Sequence, residues 1–125
     1  MTDLIEVKTA DLVGEQLAWA VGKAEGLDVR LAPPIYGNPW RVFARYRATA
    51  TDREALYNPH ESWALAGPLI FKHKISIDPR RNAGTWDAYS DRWVNACETP
   101  QVAVCLAVVV AKLGHSVQVP KELMP

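Results

Sequence analysis

The clearest pattern in the chain is a stripe of apolar residues at helical spacing near its start. Leu12, Val13, Leu17, Ala20, Val21 and Ala24 fall on one face when successive residues turn by about 100°. Thr9 precedes the stripe as a candidate N-cap, Asp11 lies in the first turn, and Gly26 stands at the C-terminal cap position. The spacing predicts a helix over residues 9–25. Trp19 is its misfit, projecting to the opposite face beside Asp11, Glu15, Gly22 and Lys23. A large aromatic there needs a cover, and a neighbouring loop or the C-terminal arm is the favoured one over a partner.

A second helix is predicted near the other end. Residues 102–111 are apolar throughout. Valine-rich runs favour strands, but the flanking caps decide otherwise. Thr99-Pro100 combines a capping hydroxyl with proline at the first helical position; Lys112 lies in the last turn and Gly114 at the end. A helix over 99–113 that is apolar on every side belongs at the centre of a core.

Strands and turns fill the space between. Residues 2–8 and 27–31 read as short strands. Residues 32–40 hold three prolines and a glycine and form a loop, with Tyr36 and Trp40 expected to fold back onto the core. Over 41–49 the chain alternates: Val42, Ala44 and Tyr46 on one face, Arg41, Phe43, Arg45 and Arg47 on the other. Residues 61–66 read as a short helical turn ended by Gly67-Pro68. A polar loop over 78–84, flanked by apolar runs with Ile75 and Ile77 before it and Trp86 and Ala88 after it, predicts an antiparallel hairpin. Val117 and Val119 lie in an extended arm. The class is α+β: two main helices packed on a small, mostly antiparallel sheet, as one domain over 1–125.

Composition narrows the partners. The hydrophobic fraction of 49% supports a packed core, and 14 basic against 14 acidic residues leave no net charge. Disorder is excluded on that balance, and no net basic field attracts nucleic acid. The first eight residues carry acids and no apolar stretch of a secretion signal. The longest apolar run, ten residues, is half of the roughly 20 that a membrane helix needs. Cys97 and Cys105 read as small buried residues of a reducing compartment. The expectation is a cytoplasmic protein with no membrane attachment.

Chemical motifs are sparse. His60, His73 and His115 make no metal spacing, and there is no HExxH, CxxC or EF-hand pattern. No phosphate-binding loop or nucleophile elbow is present. The expectation is therefore no metal, no cofactor and no catalytic residue. Glu61 beside His60, and Asp87 beside Trp86, come nearest to acid–base pairs and read as solvated surface. Arg41, Arg45, Arg47, Arg80 and Arg81 are interleaved with aromatics, a composition that binds nucleic acid in some folds. A basic edge that discourages strand pairing is the preferred reading.

Longer strings resemble one family. Leu17-x-Trp19-Ala20-Val21-x-Lys23-x-Glu25-Gly26 is similar to the opening of the phage NinX-like family. Tyr57-Asn58-Pro59, leading to Trp63-Ala64 and Gly67-Pro68-Leu69-Ile70, resembles its central segment, with asparagine where serine is usual. Trp86-x-Ala88 and the closing run from Thr99-Pro100 to Val119-Pro120 resemble the rest, while residues 33–54 are not placed on the family pattern by any such string. The resemblance implies a phage or prophage accessory protein of uncharacterised role and supplies no catalytic residues. It singles out Trp19, Tyr57, Trp63 and Trp86, which either pack together over the outer face of the first helix, the favoured reading, or line a groove. The leading functional expectation is a non-enzymatic domain that binds a host or phage protein. Nucleic-acid binding through the five arginines comes second and a small enzyme third.

Overall fold

The computed structural model describes residues 3–47 and 52–125. Along them run β1 (Leu4–Lys8), a 3-10 turn (Thr9–Asp11), α1 (Gly14–Ala24), β2 (Asp28–Ala32), β3 (Arg41–Arg47) and β4 (Asp52–Leu56). There follow α2 (Trp63–His73), β5 (Ser76–Arg80), β6 (Thr85–Tyr89), β7 (Trp93–Cys97), α3 (Pro100–Leu113), β8 (Ser116–Pro120) and a last 3-10 turn (Lys121–Leu123). The class is α+β, with two corrections to the expected arrangement. There are three helices among the described residues, and the strands form three separate antiparallel sheets, β1-β8, β2-β3-β4 and β5-β6-β7.

The reason for three sheets lies in α3. Its caps act as the sequence predicts: Thr99 Oγ1 accepts from the Val102 N–H at 3.1 Å, Pro100 opens the helix, and Gly114 ends it. Ala103, Val104, Cys105, Ala107, Val108 and Val109 are all buried. Because the helix is apolar all round, one sheet face cannot cover it. It packs on α1, α2 and the β5-β6-β7 sheet, while α1 packs on β2, β3 and β8.

The missed helix is α2. Gly67-Pro68 was expected to end a short turn, yet the helix runs on to His73. Proline removes one backbone bond, to the Ala64 carbonyl, but Pro68 and Ala64 both lie on the outer face, where water serves that carbonyl. Burial of Ala66 and Leu69 on the inner face carries the helix through. Lys74 then ends it in the left-handed region at φ +53°, with Ile75 N–H bonding the Ile70 carbonyl.

The first helix is shorter than predicted. Gly14 takes φ +55°, so the chain pivots there and α1 starts at it, leaving Val13 exposed instead of on the buried stripe. Thr9 is no cap for α1. Its hydroxyl donates to the Gly114 carbonyl at 2.7 Å, and its N–H to the His115 carbonyl at 2.8 Å. A carbonyl left over at the end of α3 claims the hydroxyl that a helix start would have used. Tyr36 also departs from expectation. With Gly37 it forms a two-residue turn at positive φ closed by paired Ile35–Asn38 bonds, and it is 94% exposed at the tip. The hairpin predicted around the polar loop forms as β5–β6, with Pro79 tolerated because β5 is an edge strand.

Two contacts fasten α1 to its neighbours. Gly22, expected on the outer face, is buried: a Cβ there would run into Val29 Cγ1 and meet the Tyr57 ring at 3.6 Å. At the end of α1, Gly26 N–H bonds the Lys23 carbonyl and Leu27 N–H the Gly22 carbonyl, a Schellman closure around a left-handed glycine. That closure aims Glu25 at α2. Its carboxylate accepts from His73 Nε2 at 2.7 Å and Lys72 Nζ at 3.0 Å, and the Glu25 and His73 side chains are both buried. Burial alone would raise the Glu25 carboxyl, but the hydrogen bonds from Lys72 and His73 and their charges outweigh it and hold the group below the ordinary glutamate range.

Gly22→Ala should therefore destabilise the chain by about 1–3 kcal/mol, since β-branched Val29 cannot turn away; urea melts of the two proteins measure it. Glu25→Gln should cost about 1–3 kcal/mol at pH 7. A depressed folded-state value means that the contribution is present at neutral pH and lost as pH falls through that value. The stability gap between Glu25→Gln and the wild type should thus close below the ordinary glutamate range in melts run at stepped pH.

Candidate functional site

The four family aromatics occupy four different places. Trp19 sits half-buried on the face of α1 turned to β1 and β8, in a cleft of about 350 Å³, with Lys23 Nζ 5.0 Å above its ring. On the same face Gln16 is held by the Leu123 carbonyl at 3.1 Å. The C-terminal arm is thus the cover of the outer face, as favoured from the sequence. Tyr57 is buried in the core against Gly22, and burial pushes its phenol far up. Trp86 is half-buried on β6 against the core. Trp63 lies at the start of α2 and is 49% exposed. No ring contact joins any two of these four among the described residues.

Trp63 belongs to a different grouping. At about 100° per residue, Trp63, Ala64, Gly67, Pro68 and Phe71 share the outer face of α2. Phe71 is 87% exposed, and Ala64 and Pro68 are exposed beside it. The basic residues of this helix, Lys72 and His73, stand at its C-terminal end, where both meet Glu25. An outer face without a charge over the nine residues from Trp63 to Phe71 is unusual for a solvated helix.

The arginines are spread over two sheets. Alternation on β3 is as predicted, with Val42 and Ala44 buried and Arg41, Phe43 and Arg45 turned outward. Arg30 and Arg45 both pair with Glu54 of β4, and Arg30 and Arg41 flank the Phe43 ring. Arg80 pairs with Asp87, and Arg81 is exposed in the following turn. The Arg47 side chain and residues 48–51 lie outside the described part. Asp87 is no free acid: Arg80 Nε and the Ala96 N–H donate to it, and both lower its carboxyl. This pairing holds the bulge where Ala96 takes φ +58°.

A cleft of about 510 Å³ lies between β7, α3 and the Thr9 turn and is lined by Lys8, Arg92, Trp93, Cys97 and His115 among others. Arg92 donates to His115 Nε2 at 3.0 Å, and Trp93 tilts against Tyr89 with ring centroids 5.1 Å apart. The Cys97 thiol is pushed up, by burial first and by the Asp87 charge second, which keeps it from thiolate chemistry. Cys105 is pushed up to about 12 by burial in α3. Both cysteines are free and buried.

Among the described residues, one trio of ligand-type side chains converges: Glu15, His60 and Glu61, each offering an atom within 4.8 Å of the others. Glu15 comes from the first turn of α1, the other two from the turn before α2. His60 Nε2 lies 3.1 Å from Glu61 Oε1 and 3.7 Å from Glu15 Oε2. Glu15 Oε1 accepts from the Val42 N–H at 2.9 Å, which turns Oε2 to the ring. The adjacency of His60 and Glu61 was visible in the sequence and read as solvated surface. No spacing rule could bring Glu15 to them, because the third member arrives through the packing of α1.

Comparison with known proteins then places the chain. Among curated proteins, none matches it significantly. The sequence pattern of the family described as Bacteriophage P22, NinX matches residues 8–112, a span that takes in all three helices except the last residue of α3. The chain belongs to the bacteriophage P22 NinX family.

Proposed function

We propose that this phage-family protein is a non-enzymatic accessory domain that binds another protein through the outer face of α2. The observation that carries the reading is the run Trp63, Ala64, Gly67, Pro68, Phe71, exposed except at half-buried Gly67, with a phenylalanine almost fully in water. Burying one such side chain is worth about 1.5–3 kcal/mol, so a partner gains affinity by covering it. Aromatics at the centre of a patch are typical anchors of protein interfaces. Exposed Lys74 follows the run, while Lys72 is already paired with Glu25. A matching partner therefore presents apolar side chains rimmed on one side by acids, and it is a host or phage protein other than this chain. Nucleic-acid binding is the weaker reading, because Glu54 and Asp87 engage Arg30, Arg45 and Arg80.

Phe71→Glu tests the face without touching the core. Tagged wild-type chain should retrieve a specific protein from infected-cell lysate. Phe71→Glu should lose that protein at least about tenfold, while Arg45→Ala should retain it. Retention by Phe71→Glu would sink the reading. So would sedimentation showing that the wild type dimerises and Phe71→Glu does not, because the face would then serve a second copy.

A further inference from the structure

We propose that Glu15, His60 and Glu61 bind a divalent cation of the Zn2+ type. Three observations carry this, and none depends on the docking face of α2. First, the donor set is chemically right: one imidazole and two carboxylates supply nitrogen and oxygen to a borderline ion. Second, the spacing fits. Bonds of about 2.0–2.2 Å in a tetrahedral site put neighbouring ligand atoms about 3.3–3.6 Å apart. The contacts to His60 Nε2, 3.1 and 3.7 Å, bracket that range. The widest separation in the trio, up to 4.8 Å, closes by a small movement of Glu61, whose side chain is 68% exposed.

Third, His60 lacks the partners a buried imidazole needs. Its side chain is 7% exposed, yet neither ring nitrogen makes a hydrogen bond among the described residues. Glu15 Oε2, at 3.7 Å, is too far from Nε2 to accept a hydrogen bond, and Glu61 Oε1, at 3.1 Å, is near enough but does not make one. Leaving such an atom unsatisfied is costly, and a bond from the ion to Nε2, the nitrogen that both carboxylates approach, satisfies that one.

The surroundings are prepared for the same role. The Val42 N–H holds Glu15 from behind, which is how a ligand carboxylate is normally oriented. Buried Pro59, and the Glu61 and Ser62 N–H groups bonding the Asn58 carbonyl, set the turn that carries the other two ligands. A cleft of about 320 Å³ reaches His60 and Glu61 from solvent and includes Glu98 on its wall. Three protein ligands leave a fourth position open toward that cleft for water. The bound ion would tie the first turn of α1 to the segment that launches α2.

The test is calorimetric titration of ZnCl2 into the full chain after chelator treatment, with MgCl2 as the oxygen-preferring control. One Zn2+ per chain should bind, with a higher melting temperature, and Mg2+ should not match it. Glu61→Gln and Glu15→Gln should each weaken Zn2+ binding about tenfold or more, and His60→Gln should abolish it. Glu61 is exposed, so Glu61→Gln keeps its fold and its result stands even if His60→Gln does not fold. Absence of saturable Zn2+ binding to the wild type overturns the proposal and leaves the trio an ion pair. Binding that is unchanged in both Glu61→Gln and Glu15→Gln also overturns it, because the ion then sits elsewhere.

Discussion

Everything in this fold follows from α3 having no polar side. Its buried residues, Ala103, Val104, Cys105, Ala107, Val108 and Val109, are enclosed by α1 and α2 on two flanks and the β5-β6-β7 sheet on another, while Leu106 and Val110 line the cleft beside β7. Its ends then need partners too. Thr99 closes the start, and at the finish the chain threads Thr9 in to bond the Gly114 carbonyl. That bond brings β1 beside β8, which together cover the outer side of α1 and Trp19. One apolar helix thereby organises segments from both ends of the chain.

The family residues near the start of the chain are mostly architectural. Leu17, Ala20 and Val21 enter the core, Trp19 faces the β1-β8 sheet, and Lys23 lies over its ring. Gly26 turns the backbone so that Glu25 reaches Lys72 and His73. Tyr57, from the central string, seals the space above Gly22. These residues hold α1, α2 and the β3 layer in fixed relation. Trp63 and Phe71 stand apart from that role: among the described residues the first is half covered and the second almost uncovered.

The same packing places two functional candidates side by side along the chain. The turn over 57–62 holds His60 and Glu61 against Glu15, and α2 begins directly after it. An ion at the trio would stiffen the base of the helix whose outer face is apolar. The two surfaces are chemically distinct, one rich in charge and half-enclosed, the other apolar and open.

Local interactions made much of this legible from residues alone. The caps at Thr99, Pro100 and Gly114, the alternation along β3 and the β5–β6 hairpin all depend on neighbours within a few positions. So did the apolar character of α3 and the reading of both cysteines as buried. The remainder depended on distant contacts. Pro68 signals a stop locally, and only burial of Leu69 on the inner face carries α2 past it. Thr9 signals a cap locally, and only a carbonyl 105 residues away redirects it. Glu25 meets His73 across 48 residues, and Glu15 meets His60 because α1 is packed against β3. Spacing along a chain determines which face a side chain takes, whereas which other side chain it meets is decided when elements pack, and sites are made of such meetings.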